Sequence, residues 1–193
     1  MNHLVIYSHP NPKSFNHAIL EAYTAALAEQ GHDVCVRDLY AMDFDPVLSA
    51  DDLVMAKRKE YAPDVQAEQE KVQWADVVTM IRPVWWGGLT SNLRGYIDRV
   101  FISGFAYAYG PGGLQQLLKG KKAVIINTMG ESYEAYDKSG MLKSMTQTID
   151  ECLSGFTGLD IVRHLYLGNV VGCPDQERIS MLEQVKAMAA QLG

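Results

Sequence analysis

Features that would direct this chain elsewhere are scarce. Only three cysteines occur, Cys35, Cys152 and Cys173, too few and too scattered for a disulfide framework or a metal-ligand cluster. That usage fits a reducing compartment, so a cytoplasmic location is expected, with each thiol acting as a small buried hydrophobe. No apolar run approaches the ~18 consecutive residues of a membrane helix, so no stable membrane insertion is expected. The chain enters an apolar strand at Leu4, which leaves no room for a signal peptide. Positive charge is not in excess: 17 Lys and Arg stand against 23 Asp and Glu, a net charge of −6. That balance gives no basic field to hold a nucleic-acid backbone. The short basic runs Lys57–Lys59 and Lys119–Lys122 read as solvated faces.

Familiar catalytic signatures are missing too. No G-x-G-x-x-G follows the first strand, and there is no Walker A loop, G-x-S-x-G elbow or H-E-x-x-H helix. The one dense glycine cluster, Gly110-Pro111-Gly112-Gly113, reads as a turn. His3 and His9 stand at opposite ends of one strand, and His17, His32 and His164 have no ligand partners nearby in sequence. No metal is expected, and each histidine reads as structural or surface.

What is present is an alternation of short apolar runs with longer amphipathic ones. Strands are expected at Leu4–Ser8, Asp33–Leu39, Val77–Pro83, Ala123–Thr128 and Ile161–Leu167, rich in the Val and Ile of buried parallel strands. Helices are expected near Ser14–Gln30, Asp64–Gln73, Ser91–Phe101, Met141–Leu153 and Gln176–Gln191. Gly31 should stop the first helix and Asp175 should cap the last. The pattern predicts an α/β fold with a doubly wound, five-stranded parallel sheet and helices on both faces, in one domain over residues 1–193. The less regular Ala41–Ala62 is expected to wrap an edge of the sheet.

In such a sheet of order 2-1-3-4-5, ligands bind beyond the carboxyl ends of the strands, where the order reverses. Three loops should converge there. The first, Ser8–Asn16, carries His9, Lys13, Ser14 and Asn16 into a helix N-terminus, a setting for a phosphate; Ser14 or Asn16 would cap the helix. The second, Val84–Thr90, holds Trp85, Trp86, Gly87 and Gly88, with a helix cap at Thr90 or Ser91. A following loop should present Phe105, Tyr107 and Tyr109. Flat aromatics beside flexible glycines suit a planar conjugated ligand. The third loop, Thr128–Tyr136, offers backbone donors for charge that builds on a ring during reduction. Tyr133 and Tyr136 either donate a proton or pack over that loop.

Together the segments SHPNPKSFN (8–16), PDVQAEQEKVQWADVV (63–78), PVWW…LRGYIDRVF (83–101), GFAYAY (104–109) and NTMGE (127–131) resemble the NAD(P)H:quinone oxidoreductases of flavodoxin-like fold, the DT-diaphorase family. The likeness runs from Leu4 to about Met141 and weakens beyond. It implies that His9, Ser14, Phe15 and Asn16 hold a flavin phosphate. By the same likeness Pro83, Val84, Trp85, Trp86 and Gly87 lie along the isoalloxazine, and Thr128, Met129, Gly130 and Glu131 meet its polar edge. Trp86, Tyr107 and Tyr109 would line a substrate pocket at a homodimer interface. The implied activity is ping-pong hydride transfer from NAD(P)H through flavin to quinones, with azo and nitro compounds as further acceptors. The alternative it implies is a flavin-binding regulatory subunit of an ion-efflux system. The family's T-T-G-G is Asn127-Thr128-Met129-Gly130 here, and its Tyr/His pair has only Tyr133 or Tyr136 as counterpart, with no histidine following. The long C-terminal extension of the FAD enzymes is lacking, which leaves FMN and FAD both open and favours FMN.

Overall fold

The structure is a computed structural model that describes residues 1–192. Five strands form one parallel sheet: β1 (Asn2–Tyr7), β2 (Asp33–Asp38), β3 (Val77–Pro83), β6 (Lys122–Thr128) and β7 (Asp160–Leu167), in the order β2-β1-β3-β6-β7. That is the expected 2-1-3-4-5 once the separate hairpin of β4 (Tyr107–Gly110) and β5 (Gly113–Gln116) is set aside. β1 and β3 are buried almost throughout, which is why their sequences are continuous apolar runs.

Alternate strand residues point to opposite faces and build two cores. Leu4, Ile6, Val78, Met80 and Ala123 pack with Val72 of α3 (Pro63–Trp74), Leu93, Tyr96 and Val100 of α4 (Ser91–Val100), and Leu153 of α7 (Cys152–Thr157). Val5, Tyr7, Ile81, Val124 and Ile126 pack with Ile19, Tyr23 and Leu27 of α1 (Phe15–Glu29) and with Val185 and Ala189 of α8 (Asp175–Ala189). Helices therefore cover both faces, as expected. No helix among the described residues is long and apolar enough to cross a membrane.

Boundaries differ from expectation in instructive places. Gly31, at φ 75°, ends α1 as expected. Asp175 does not cap α8: Pro174 holds the cap position, and the Asp175 carboxylate pairs with Arg178 one turn on. The stretch 41–62 does not simply follow a sheet edge. It contains α2 (Ala50–Lys57) with a Ser49–Asp52 capping box, buries Phe44, and lies against α4 so closely that a methyl on Gly95 would overlap the Pro46 carbonyl. Arg99 fastens it, with Nη1 donating to the Asp45 carbonyl at 2.9 Å and Nε to Asp52 at 3.2 Å. The helix expected over 141–153 is α6 (Met141–Thr146), a π-helical turn (Gln147–Glu151) and α7 in succession. Of the cysteines, Cys173 is buried, Cys35 half-buried and Cys152 exposed, so the last is not the buried hydrophobe expected.

Candidate functional site

The carboxyl ends of β1, β3 and β6 lie side by side, and the loops that leave them are tied together by hydrogen bonds. Ser8 and Thr90 meet hydroxyl to hydroxyl at 2.6 Å, joining the first loop to the second. Asn16 Nδ2 donates to Thr128 Oγ1 at 2.8 Å, joining the first to the third. The Val84 amide donates to the Thr128 carbonyl at 2.8 Å, closing the triangle. All three pairs include a fully or largely buried group, so none is weakened by open solvent.

In the first loop Ser14 is the N-cap of α1 and accepts from the His17 amide. The amides of Phe15 and Asn16, next along the helix opening, find no acceptor among the described residues. Asn16 is not the cap, and its amide nitrogen is committed to Thr128, so the donor expected from it is spent; its Oδ1 is buried without a partner. His9 Nδ1 accepts from the Asn11 amide at 3.1 Å, which leaves Nε2 as the ring's N–H donor. Burial lowers the His9 pKa below the ordinary histidine value, and this favours the neutral ring. Lys13 is exposed.

The second loop turns sharply at Trp85-Trp86-Gly87-Gly88. Trp86 and Gly87 both have positive φ, 52° and 68°, and the Gly88 amide closes the turn onto the Trp85 carbonyl at 3.0 Å. The turn throws the Trp86 ring wholly into solvent, while Trp85 is half exposed with its ring 5.8 Å from that of His9. Pro83 is buried and Val84 half-buried. Thr90 is the cap residue of α4 by position, yet its hydroxyl serves Ser8 and makes no side-chain cap.

In the third loop Thr128 and Met129 are buried, whereas Gly130 and Glu131 are exposed. The tyrosines expected there lie on a short helix, α5 (Tyr133–Lys138). Tyr136 packs with Val84 against Met129, Leu142 and Met145; Tyr133 is about half exposed. A fourth segment, which sequence reasoning missed, buttresses this loop from the end of β7. Met129 donates to Leu167, Asn169 to the Glu131 carbonyl and Val170 to the Met129 carbonyl, at 2.8, 2.8 and 3.1 Å. Gly168 gives it room, since a side chain there would lie 2.7 Å from the Tyr133 amide. A glycine after a strand of β-branched and aromatic residues was the only signal available.

Beside these loops a cavity of about 420 Å³ runs from Gly87 and Gly88 along α4 to Tyr107 and Phe156. The expected aromatic loop is a core residue followed by a hairpin. Phe105 is buried, Tyr107 lines the cavity, and Tyr109 is exposed at the hairpin edge with its ring 6.0 Å from that of Tyr107. The geometry thus brings His9, Ser14, Asn16, Val84–Gly87 and Thr128–Glu131 to one crest, and places Tyr107 along the flank. Such a crest offers a donor-lined seat for an anion beside flat walls for a ring.

Comparison with known proteins is consistent along the whole chain. Residues 1–192 match the family described as having a flavodoxin-like fold. A protein of Haemophilus influenzae, named as an uncharacterized NAD(P)H oxidoreductase, is 35% identical over 184 residues, covering 95% of this chain and 91% of the relative. NAD(P)H dehydrogenase [quinone] 1 of Cavia porcellus is 32% identical over 199 residues, covering 93% of this chain and 72% of the relative. Among solved structures, the NAD(P)H:quinone oxidoreductase from Methanothermobacter marburgensis superposes with a TM-score of 0.91 at 31% identity, covering 100% of this chain and 99% of that one.

Proposed function

We propose, from the premise that this chain belongs to the flavodoxin-like NAD(P)H oxidoreductase family, that it is a flavin-dependent NAD(P)H:quinone oxidoreductase. The observation that carries this reading is the hydrogen-bonded junction of three loops, Ser8 to Thr90, Asn16 to Thr128 and Val84 to Thr128. It ties the opening of α1 to the loops after β3 and β6, which supports an anion seat held beside an aromatic wall.

The residues fit a flavin. Two amides at the opening of α1 without an acceptor among the described residues, the His9 Nε2–H and the Ser14 hydroxyl are donors of the kind a phosphate takes, and the buried Asn16 Oδ1, unpartnered among the described residues, lies on the same first turn. Pro83, Val84, Trp85, Trp86 and Gly87 supply the wall along the ring, and Thr128, Met129, Gly130 and Glu131 meet its polar edge. When bound, the flavin supplies the two-electron chemistry, taking hydride from NAD(P)H and passing both electrons to a quinone. This chain's own part is positioning. The Trp85–Gly88 turn keeps one face of the seat flat, so dihydronicotinamide and quinone can use it in turn, a ping-pong cycle. Trp86 and Tyr107 bound the substrate side, with Tyr109 reaching it from a second copy of the chain. Tyr133, which is exposed, is better placed than the packed Tyr136 to give the proton that a quinone oxygen needs on reduction to the quinol. FMN is favoured over FAD, and azo or nitro compounds fit the same flat site. The protein works as a cytoplasmic homodimer, the apolar flank of the cavity forming part of the contact.

The test is NAD(P)H consumption by flavin-loaded protein with a simple benzoquinone and no added reductase. Parallel double-reciprocal lines at varied quinone are expected. A flavin-loaded protein that leaves NAD(P)H unconsumed contradicts the reading.

A further inference from the structure

Directly beneath the second loop lies a buried charge that the site as described does not use. Arg82, the penultimate residue of β3, is fully buried. Its Nη1 donates to the Gly88 carbonyl at 2.7 Å and the Pro83 carbonyl at 3.2 Å, which seats the guanidinium under the Trp85–Gly88 turn. Nε and Nη2 have no partner among the described residues.

The groups around it do not neutralise it. Asn127, its partner across β3 and β6, gives Nδ2 to His164 Nε2 at 2.7 Å and leaves Oδ1 unpaired. Asp150, from the π-helical turn, acts on Arg82 only from a distance, because both its carboxylate oxygens lie 2.8 Å from His164 Nδ1. Tyr166 of β7 also faces Arg82; its ring stacks on His164 at 4.0 Å and its hydroxyl meets Thr146 Oγ1 at 3.1 Å. Burial lowers the Arg82 pKa to about 10, still well above neutrality, so the cation persists.

An unpaired buried cation is costly, and an apolar side chain of the same length would fold with less penalty. A charge kept in such a place has its effect on what lies next to it. Here that is the wall of the proposed ring seat. Hydride transfer from a dihydronicotinamide delivers two electrons and one proton, so a neutral flavin gains one unit of negative charge unless a second proton follows. Of the two candidate phenols, Tyr136 is packed in a hydrophobic cluster and Tyr133, taken above as the donor on the substrate side, is about half exposed.

We propose that Arg82 is the fixed positive charge of this site, a positioning residue that holds the Trp85–Gly88 turn and raises the reduction potential of the flavin seated against it. The proposal rests on the flavin reading above. It assigns to Arg82, with Asn127 and the His164–Asp150 pair around it, the charge compensation otherwise sought in a phenol or imidazole donor.

The experiment compares wild-type protein with Arg82→Met, Arg82→Gln and Arg82→Lys, all loaded with flavin. Midpoint potentials are read against a dye of known potential, and affinity for oxidised flavin is titrated separately. Arg82→Met and Arg82→Gln should lower the potential by at least about 30 mV, a tenfold loss of preference for reduced over oxidised flavin in a two-electron couple. Arg82→Lys should stay close to wild type. Potentials unmoved in Met and Gln, or lowered equally in Lys, overturn the proposal. Should the neutral variants not fold, the wild-type protein decides: its potential should fall by about 30 mV per pH unit between pH 5 and 7, one proton for two electrons, and a slope near 60 mV overturns the proposal. A protein that takes up no flavin removes the functional reading and this proposal together. Bound flavin with turnover but an unshifted potential removes the proposal alone.

Discussion

Trp86 carries two burdens at once, a positive φ of 52° and an indole wholly in solvent. A non-glycine residue held there costs about 1 kcal/mol or more, and strain of this kind persists where a site needs the side chain it displays. Trp86→Gly should therefore hold or raise the urea midpoint while increasing the quinone KM several-fold. A lower midpoint with unchanged KM would make the indole structural. His3 illustrates the opposite case, a titratable residue with no part in the site. It is fully buried beside His32, with neither ring nitrogen hydrogen-bonded among the described residues. Burial first, and then the neighbouring His32, lower its pKa to about 4. Between that value and the ordinary 6.5 the unfolded chain binds a proton that the folded chain refuses. Stability is thus fully present above about pH 6.5 and falls as the pH drops towards 4, by up to about 3 kcal/mol. His3→Leu should flatten that loss in denaturant titrations at pH 6.5 and 4.5; an equal slope in parent and variant would contradict it.

At the scale of elements, α4 shows how tightly one helix and one irregular segment depend on each other. Gly95 lets the Pro46 carbonyl lie on the helix, and Arg99 fastens the same segment through Asp45 and Asp52 while also pairing with Asp64 of α3. Gly95→Ala would gain helix propensity on an isolated helix, yet here overpacking should cost about 1–3 kcal/mol, visible as a lower thermal midpoint. An unchanged midpoint would mean that the segment can move aside. This contact was not legible in the sequence, because Ala41–Ala62 has no periodicity and its anchors are more than 40 positions away in the chain. The five parallel strands were legible, since burial on both faces writes itself as continuous Val and Ile runs, as in Val77–Ile81. Ser14 as a cap and Gly31 as a stop were legible for the same local reason. Asp175 misled because an acid at a helix start suits both the cap and the first turn. Phe105 reads in sequence as one of a run of presented aromatics, whereas its ring is part of the core. The Arg82–Asn127–His164–Asp150 cluster was invisible in advance, because it assembles only through strand register and a π-helical turn.

For the molecule as a whole, the loop junction gives one seat, and the cavity beside it leaves apolar groups exposed on the flank. Leu48, Leu53 and Phe156 line that cavity and are each at least a third exposed. Sedimentation should return twice the chain mass, and Leu53→Glu with Phe156→Glu should return the chain mass, with a raised quinone KM but flavin still bound. A wild-type monomer would contradict the shared site. Everything else depends on whether the crest of β1, β3 and β6 holds a flavin. The most direct measurement is a fluorescence titration of the stripped protein with FMN. Saturation at one flavin per chain is expected, with the affinity weakened at least tenfold in Ser14→Ala, which loses a cap worth about 1 kcal/mol as well as a phosphate donor. No quenching of FMN at any ratio, in a protein whose circular dichroism is that of the folded α/β chain, would contradict the account.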